Sequence, residues 1–545
     1  MSIAQADGLF FNKLRGAVAD QLPSYLQEQR WFRAKARDIQ AVALKDCLIV
    51  TLAGARALIV LAKVEYSEGH DETYVVPLLQ LAEAPAVGTE PTRSVLHFQV
   101  SEASKETVLT DALASPEFLA ALLAAIQDNR SFTGESGTLL ARKSSALDSL
   151  LPKTGSPPAG SVLKAEQSNT SILYGDRAIL KFYRCVEEGV NPDLEVGQFL
   201  TEIAHFPNTP QLGGSLEYQT NEGRAMTLGI LQAFVANQGD AWNSTLRSLK
   251  ELLTQALADS GLADSSKRRP GSKLKTEHLP AAASEQLAAI TRLMGLLGKR
   301  TAEMHLAMAN GKSNPAFLPE PFTPAYREFL GSALHDLTIR NFDLLRSKME
   351  LFSETTKQAA LRAAKCEEEV LLTFHTLLEN DIAGLRIRIH GDYHLGQVLF
   401  TGSDFMIIDF EGEPARPIEE RRAKRSPLQD VAGMLRSFHY AERSALLAFT
   451  EGANHSSDEL SQIVDLLSLW RSIASGKFLD EYRTTVKGAP FLPKKWEESE
   501  ALLRVHLLEK AVYEMGYELN NRPSWLPIPL RGIEDLVGKT AHKTA

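Results

Sequence analysis

Three side chains able to do acid–base or metal chemistry fall in order within one stretch, RIHGDYHLGQVLFTGSDFMIIDFE, from Arg388 to Glu411. Asp392 follows a break at Gly391, Gln397 stands five residues further on, and Asp409 ends the apolar run FMIID. Phosphoryl transfer from a nucleotide uses a carboxylate to orient and deprotonate the accepting hydroxyl, an amide oxygen on Mg²⁺, and a second carboxylate holding metal across the phosphates. Asp392 fits the base, and Gln397 and Asp409 fit the metal ligands. Singly, they read as a turn cap, a surface amide and a strand end. As an ordered set, with a buried strand delivering the last carboxylate, they form a pattern that unrelated turns seldom reproduce.

Such a loop also needs a cation on the phosphates. Lys181 lies in the strand-like run AILKFY, on the face opposite Leu180 and Phe182, and Asn191-Pro192 then reads as a helix N-cap followed by Pro at the first position. Glu195 falls in the first turn of that helix and is the expected partner of Lys181. The polar loop EQSNTS contains no glycine, so a GxGxxG reading fails, but Ser168, Asn169 and Thr170 offer donors to phosphate oxygens. A plain polar turn is the competing reading. Further on, MTLGILQAFV reads as a buried strand whose exit, Gln232 with Phe234 and Val235, would supply backbone hydrogen bonds to adenine. ATP and Mg²⁺ are the implied cofactors.

These residues need elements to hold them. At 545 residues the chain calls for two to four domains, and 44% hydrophobic with 23% charged residues describes an ordinary globular composition. A net charge of -9 argues against a nucleic-acid partner. The three cysteines, Cys47, Cys185 and Cys366, are too far apart in sequence for a metal knuckle or redox pair and read as reduced thiols. The N-terminus lacks a signal-peptide layout, and the apolar run LIVTLAGARALIVLA is broken by Gly54 and Arg56, so it reads as a strand hairpin and not a membrane span. A soluble, cytoplasmic protein is expected.

Residues 1–100 combine a short helix, LPSYLQEQRWF, with the runs VALKDCLIVTLA, RALIVLAKVEY, TYVVPLLQLA and SVLHFQV, which predict a small antiparallel sheet. Trp31, Arg33, Lys35 and Arg37 read as a helix end packing its Trp and solvating its charges. Residues 101–235 would carry the nucleotide sheet, including a helix from Pro116 capped by Ser115, and residues 236–545 are mainly helical. There Ser284 is the expected cap of a long helix whose Leu287, Ile290, Met294, Leu297 and Met304 share a face; His305 reads as a satisfied core histidine. Two further helices are expected, from about Pro324 to Leu351 and from Glu354 to Glu379. The piece ADSGLADSSKRRPGSKLKTEHLPAAAS reads as a surface insertion.

The segments HGDYHLGQVL, DFEGEPARPIEERRAKRSPLQDVAGMLRSF and YELNNRPSWLPIPLRGI, with RWFRAKAR and KFYRCVEEGVNPDLEVGQFL, resemble the bacterial maltokinases, including the kinase half of trehalose synthase–maltokinase fusions. The resemblance spans nearly the whole chain. It implies an α+β, two-lobed, aminoglycoside-phosphotransferase-like kinase fold with an N-terminal antiparallel-sheet cap and a mainly helical C-lobe. It also implies ATP- and Mg²⁺-dependent phosphorylation of maltose at the anomeric hydroxyl, feeding α-glucan synthesis, with association with trehalose synthase or glucan-synthesis enzymes as a possible partnership. The RAK after WF departs from the family's glycine-rich stretch, and the insertion near residues 255–285 is longer than expected. No glycoside-hydrolase segment precedes the kinase, so a freestanding form is expected.

His390 braces the loop in this reading and, with Glu411, belongs to the acceptor side; Glu411 could touch either metal or substrate. Lys510, Tyr513, Glu514 and Tyr517 lie at i, i+3, i+4 and i+7 of a C-terminal helix, and the resemblance makes this face the sugar wall. The charges of Arg416, Arg421, Arg422 and Asp430 are either a surface network or fix the catalytic loop. Two alternatives remain. One is a kinase for another small acceptor, such as glucosamine or an aminoglycoside, and the other is a non-catalytic scaffold.

Overall fold

A computed structural model describes residues 3–80, 94–99, 106–151, 158–163, 169–258, 274–311, 314–378, 381–452 and 455–541. Ser168 and most of the insertion's basic run lie outside the described residues. The chain divides into two compact units, Met1–Ala236 with Arg416–Glu420, and Asn237–Ala415 with Arg421–Ala545.

The first unit opens with helix α1 (Ile3–Glu28), which is longer than the short helix expected and ends before Trp31. It packs on an antiparallel sheet of β1 (Ile39–Leu52), β2 (Ala55–Tyr66), β3 (Glu72–Gln80), β4 (Ser94–Gln99) and β5 (Glu106–Asp111), in the order β1-β2-β3-β5-β4. Leu14, Val18, Leu22 and Leu26 recur at i, i+4 along α1 and bury against Leu58, Val60, Ala62 and Val64, alternate residues of β2. The intervening Ala57, Ile59 and Leu61 point the other way into a second core. Burial on both faces explains why β2 reads as a continuous apolar run without spanning a bilayer. Gly54, at φ 87°, turns β1 into β2.

The second sheet of this unit has the order β6-β7-β12-β13-β10-β9-β8. Its strands are β6 (Ser131–Thr133), β7 (Gly137–Lys143), β8 (Gly160–Val162), β9 (Asn169–Tyr174), β10 (Ala178–Tyr183), β12 (Leu212–Thr220) and β13 (Ala225–Ala233). Helix α2 (Pro116–Gln127) starts as expected, with the Ser115 hydroxyl accepting from Phe118 N. The one-turn α3 (Leu147–Leu150) precedes β8, and α4 (Pro192–Glu202) follows β10. Between β10 and α4 the short β11 (Cys185–Val186) leaves the second sheet and pairs with β3 of the first, Cys185 opposite Tyr74.

The second unit is mainly helical. It contains α5 (Ala241–Ala258), α6 (Ala281–Met308), α7 (Pro324–Ser347), α8 (Glu354–Ala364) and α9 (Glu367–Leu378); beyond the one-turn α10 (Ile418–Arg421) come α11 (Leu428–Thr450), α12 (Ser457–Thr485), α13 (Trp496–Asn521) and α14 (Pro527–Ala541). Two short antiparallel pairs interrupt the helices: β14 (Glu320–Pro321) with β15 (Leu385–Arg386), which α7 to α9 separate in sequence, and the hairpin of β16 (Val398–Phe400) with β17 (Phe405–Ile407). The long helix begins at Ala281, so Ser284 sits inside it and its amide donates to Pro280 O instead of capping. Residues 354–378 form two helices broken at Lys365–Cys366, where Ala360 and Ala363 on α8 and Val370 and Phe374 on α9 enter one core with α13 and α14. Among the described residues no helix is long and apolar enough to cross a membrane.

Candidate active site

In the second unit the β16–β17 hairpin does the first piece of assembly. Thr401 and Asp404 close the turn through each other's backbone and hydroxyl, and Gly402 adopts φ 99°. Val398 is thereby registered opposite Ile407, and Ile408 N donates to Gln397 O at 3.0 Å. Gln397 and Asp409, twelve residues apart, meet side chain to side chain, Nε2 to Oδ2, at 3.0 Å. Asp409 is held at φ 66°, a left-handed conformation that costs an ordinary residue about 1 kcal/mol or more, and it lies just past the end of the strand. Arg300 of α6 grips Asp404 through two hydrogen bonds of 2.8 and 2.7 Å and fixes the hairpin tip.

Asp430 of α11 fixes the loop before the hairpin. It is fully buried and accepts from His390 N at 2.8 Å and Gly391 N at 3.0 Å. His305 lies 3.0 Å from the same carboxylate through Nε2 and 2.9 Å from the Tyr482 hydroxyl through Nδ1. Burial pushes Asp430 up, but the hydrogen bond and charge of His305, with help from His390 and the Gly391 amide, hold its pKa below the usual carboxylate value. Gly391, at φ 86°, makes the bend that precedes Asp392. Gly433 of α11 lets that helix approach closely, since a Cβ there would lie 2.6 Å from Tyr393 O. His390 Nε2 bonds Ile408 O at 2.9 Å, so the loop is tied to the hairpin as well as to α11.

Asp392 itself faces two cationic or dipolar groups. Lys510 Nζ on α13 lies 3.6 Å from Oδ1, and His394 Nε2 lies 3.8 Å from Oδ2. Burial works to lower the Lys510 pKa, but the carboxylates of Asp392, Glu514 and Glu413 outweigh it and keep the ammonium above its ordinary value. His394 Nδ1 accepts from Gly396 N and caps the turn Leu395–Gln397, which places its proton on Nε2. Burial, against the pull of Asp392, holds its pKa below 6.5, so it stays neutral.

Of the α13 face read as a sugar wall, Lys510 reaches Asp392, and its ammonium lies 5.1 Å from the Tyr513 ring. Glu514 is buried and accepts from Arg436 Nε and Nη2 of α11 at 2.8 and 2.6 Å. Tyr517 is exposed beneath Arg522. Arg436 also donates to His439 Nδ1 at 2.7 Å, and burial beside that guanidinium drives the His439 pKa well below 6.5. Arg436 did not stand out in sequence, because its partner Glu514 lies 78 residues away on α13, and His439 is drawn in only through Arg436, three residues before it on α11.

The first unit carries the nucleotide candidates. Lys181 of β10 is half-buried, as its alternation predicts, and its Nζ lies 3.4 Å from Asp193 Oδ2. Asp193 also accepts from the Tyr183 hydroxyl at 3.2 Å. The cap explains its placement, because Asn191 Oδ1 accepts from Asp193 N and Leu194 N and aims the first turn of α4. Asp193 is a carboxylate that sequence reasoning passed over in favour of Glu195, which stands in the same first turn; the capping Asn-Pro pair was the available signal. Thr170 is buried, with its hydroxyl oxygen accepting from Arg184 Nε at 2.9 Å, while Asn169 is half-buried at the start of β9. Gln232 is half-buried near the end of β13, and Phe234 N donates to Arg177 O at 2.8 Å, so that amide is engaged within the sheet. Val235 follows, also half-buried.

A nucleotide-type sheet bearing Lys181, and a helical unit bearing a braced Asp loop and a Gln–Asp hairpin, define a phosphotransferase of the two-lobed kinase type. Residues 267–460 match the phosphotransferase enzyme family, and residues 25–114 match the maltokinase N-terminal cap domain. It is 25% identical over 380 residues to a glucosamine kinase of Streptacidiphilus jiangxiensis, covering 68% of this chain and 72% of that one. With a glucosamine kinase of Mycolicibacterium smegmatis it shares 24% identity over 376 residues, covering 67% and 77%. A solved glucosamine kinase in complex with glucosamine, ADP and inorganic phosphate superposes with a TM-score of 0.60 at 17% identity, covering 96% of this chain and 98% of that one. Another crystal form of glucosamine kinase gives 0.62 at 18% identity.

Proposed function

We propose that the protein is an ATP-dependent sugar kinase that phosphorylates maltose at its anomeric hydroxyl, giving maltose 1-phosphate. The observation that carries the reading is the hairpin that brings Gln397 within 3.0 Å of Asp409, beside a loop whose backbone is fixed by a buried carboxylate. Asp392 orients the acceptor hydroxyl and takes its proton as the bond to the γ-phosphorus forms. An anomeric hydroxyl is more acidic than an ordinary alcohol, so positioning does more of the work than basicity. Lys181 holds the nucleotide phosphates, with Asp193 and Glu195 available in the first turn of α4, and the loop around Ser168, Asn169 and Thr170 covers them. Gln232, Phe234 and Val235 line the adenine edge. The amide oxygen of Gln397 and the carboxylate of Asp409 are hard donors that suit Mg²⁺, which would supply charge neutralisation across the phosphates. His390 braces the loop, and Glu411, Lys510, Tyr513, Glu514 and Tyr517 form the acceptor side. Within it Lys510 contacts Asp392, and Glu514 supports the wall through Arg436.

The maltokinase cap domain and the resembling C-terminal segments support maltose. A second acceptor, glucosamine, is favoured by the names of the relatives. A panel of maltose, glucosamine, glucose and an aminoglycoside, followed by ADP release, decides between them. The expected result is the highest kcat/KM for maltose, and much faster turnover of glucosamine would overturn that choice while leaving the kinase reading intact.

A further inference from the structure

Asp392 is bracketed by two ties that both end on α6. Before it, Gly391 N donates to Asp430 Oδ1 at 3.0 Å, and Oδ2 of the same carboxylate meets His305 Nε2 at 3.0 Å. After it, the buried Tyr393 hydroxyl lies 2.9 Å from Thr301 Oγ1. The Thr301 proton is already given to Leu297 O at 2.8 Å, so Tyr393 is the donor, and burial pushes its pKa up and keeps that proton in place. Thr301 and His305 stand one turn apart, and Arg300 beside them holds the hairpin tip. The placement of this stretch of α6 therefore sets both flanks of the base.

Helix α12 holds that stretch in turn. A Cβ on Gly298 of α6 would collide with Phe478 O, so the backbones of the two helices lie against each other. One turn beyond Phe478, Tyr482 is fully buried and its hydroxyl lies 2.9 Å from His305 Nδ1, the two rings meeting edge to face with centroids 5.7 Å apart. A fully buried imidazole needs a partner for each nitrogen. The ionised Asp430 can only accept, so Nε2 carries a proton, and Tyr482 supplies the other partner from 177 residues away. Its hydroxyl serves either charge state of the ring, donating to a bare Nδ1 or accepting from Nδ1–H, and in both the Nε2–H is aimed at Asp430. A phenylalanine would fill the same space and leave Nδ1 unpaired, so the ring would lose the bond that sets its angle to the carboxylate.

We propose that Tyr482 is a positioning residue for phosphoryl transfer: by orienting His305 it fixes the carboxylate that holds the Gly391 amide, and with it the placement of Asp392. This rests on the assignment of Asp392 as the base. Helix α12 thereby acts on turnover through a chain of three hydrogen bonds, from Tyr482 to His305, from His305 to Asp430, and from Asp430 to Gly391.

Another buried side chain of α12 provides the control. Trp470 packs on Phe438 of α11, and its indole nitrogen has no hydrogen-bond partner among the described residues, so Trp470→Phe trims the helix without breaking a bond. Variants Tyr482→Phe, His305→Gln, their combination, Trp470→Phe and Asp392→Asn are to be compared by ADP release with the preferred acceptor of the panel, calorimetric ADP binding, thermal unfolding, and hydrogen exchange of peptides spanning 389–393 and 398–407. Tyr482→Phe is expected to lower kcat about tenfold, the scale of one hydrogen bond, with acceptor KM and ADP affinity within about twofold of wild type. Exchange at 389–393 should speed up about tenfold relative to 398–407, because the loop is released while the hairpin stays held. The double variant should lose no more kcat than His305→Gln alone, since Tyr482 acts only through that ring. Trp470→Phe should lower Tm and leave kcat unchanged, which separates positioning from a general loosening of α12. A kcat within about twofold of wild type in Tyr482→Phe, equal acceleration of exchange in both segments, multiplicative losses in the double variant, or an equal kcat loss in Trp470→Phe would each overturn the proposal. The exchange measurement needs only the isosteric single variant, so it decides even where the double variant does not fold. If Asp392→Asn retains turnover, the base assignment itself fails; if it loses turnover while Tyr482→Phe does not, only the positioning fails.

Discussion

Replacing Asp430 by Asn tests how the catalytic loop is held. The carboxylate accepts His390 N and His305 Nε2 on Oδ2 and Gly391 N on Oδ1. An amide can turn its oxygen to only one of these sides. Placing the nitrogen toward Gly391 sacrifices one bond instead of two and leaves a buried N–H facing another donor. Losing one bond to a charged acceptor costs about 1.5–3 kcal/mol, and the two survivors weaken because the acceptor is now neutral, so about 3 kcal/mol of stability is expected to go. The released amide belongs to Gly391, directly before Asp392, so the loss appears in chemistry too. A shift of about 1 Å at the base is worth about 10²-fold in kcat. A coupled ADP-release assay should show that drop with ADP affinity unchanged, and thermal unfolding should report the stability loss. A folded Asp430→Asn protein with kcat within about threefold of wild type would refute the argument, because loop placement is then independent of the carboxylate.

Three further outcomes follow from the same geometry. Asp409→Ala should abolish metal-dependent turnover, and an unaltered Mg²⁺ titration of the remaining activity would contradict its role as a ligand. Arg436→Met strands the Glu514 carboxylate and should cost about 3–5 kcal/mol in denaturant unfolding, much of it recovered in the Arg436→Met/Glu514→Met pair; a single variant as stable as wild type would show that the ion pair is unimportant. His439 has a folded pKa well below 6.5, so the unfolded chain binds its proton first: stability is fully present above about pH 6.5 and is lost as pH falls, at about 1.4 kcal/mol per pH unit until the folded pKa is reached. His439→Gln, which can still accept from Arg436, should flatten that slope, and an unchanged slope would place the titration elsewhere.

Much of this was readable from local pattern. The cap strands announced themselves because β1 and β2 carry long apolar runs joined by a glycine turn, and β2 is continuously apolar from Ala57 to Ala62 because both its faces are buried there. The β16–β17 hairpin was readable because TGSD is turn chemistry between two apolar runs, and the turn fixes the register that joins Gln397 to Asp409. Helix boundaries were less secure. Ser284 looks like a cap, yet Pro280 holds the cap position and the helix begins at Ala281, and the break at Lys365–Cys366 carries neither Gly nor Pro to mark it. Contacts made across long sequence distances left no trace at all. Nothing in α13 reveals that Glu514, on the face read as a sugar wall, is gripped by Arg436 of α11, and Asp193 was hidden by the familiar spacing of Glu195. Arg184 sits in a strand-like run where a buried cation has no periodic signature, and only the switch of β11 to the cap sheet shows why it is there.

The central claim is that Asp392 delivers a sugar's anomeric hydroxyl to the γ-phosphate of ATP. Phosphorus and proton NMR of the product formed from ATP, Mg²⁺ and maltose, by wild type and by Asp392→Asn, tests it most directly. Wild type should give an acid-labile phosphate monoester on C1, and the variant should lose several orders of magnitude in its rate of formation while nucleotide binding is retained. Phosphate on another hydroxyl, or comparable product formation by Asp392→Asn, would contradict it.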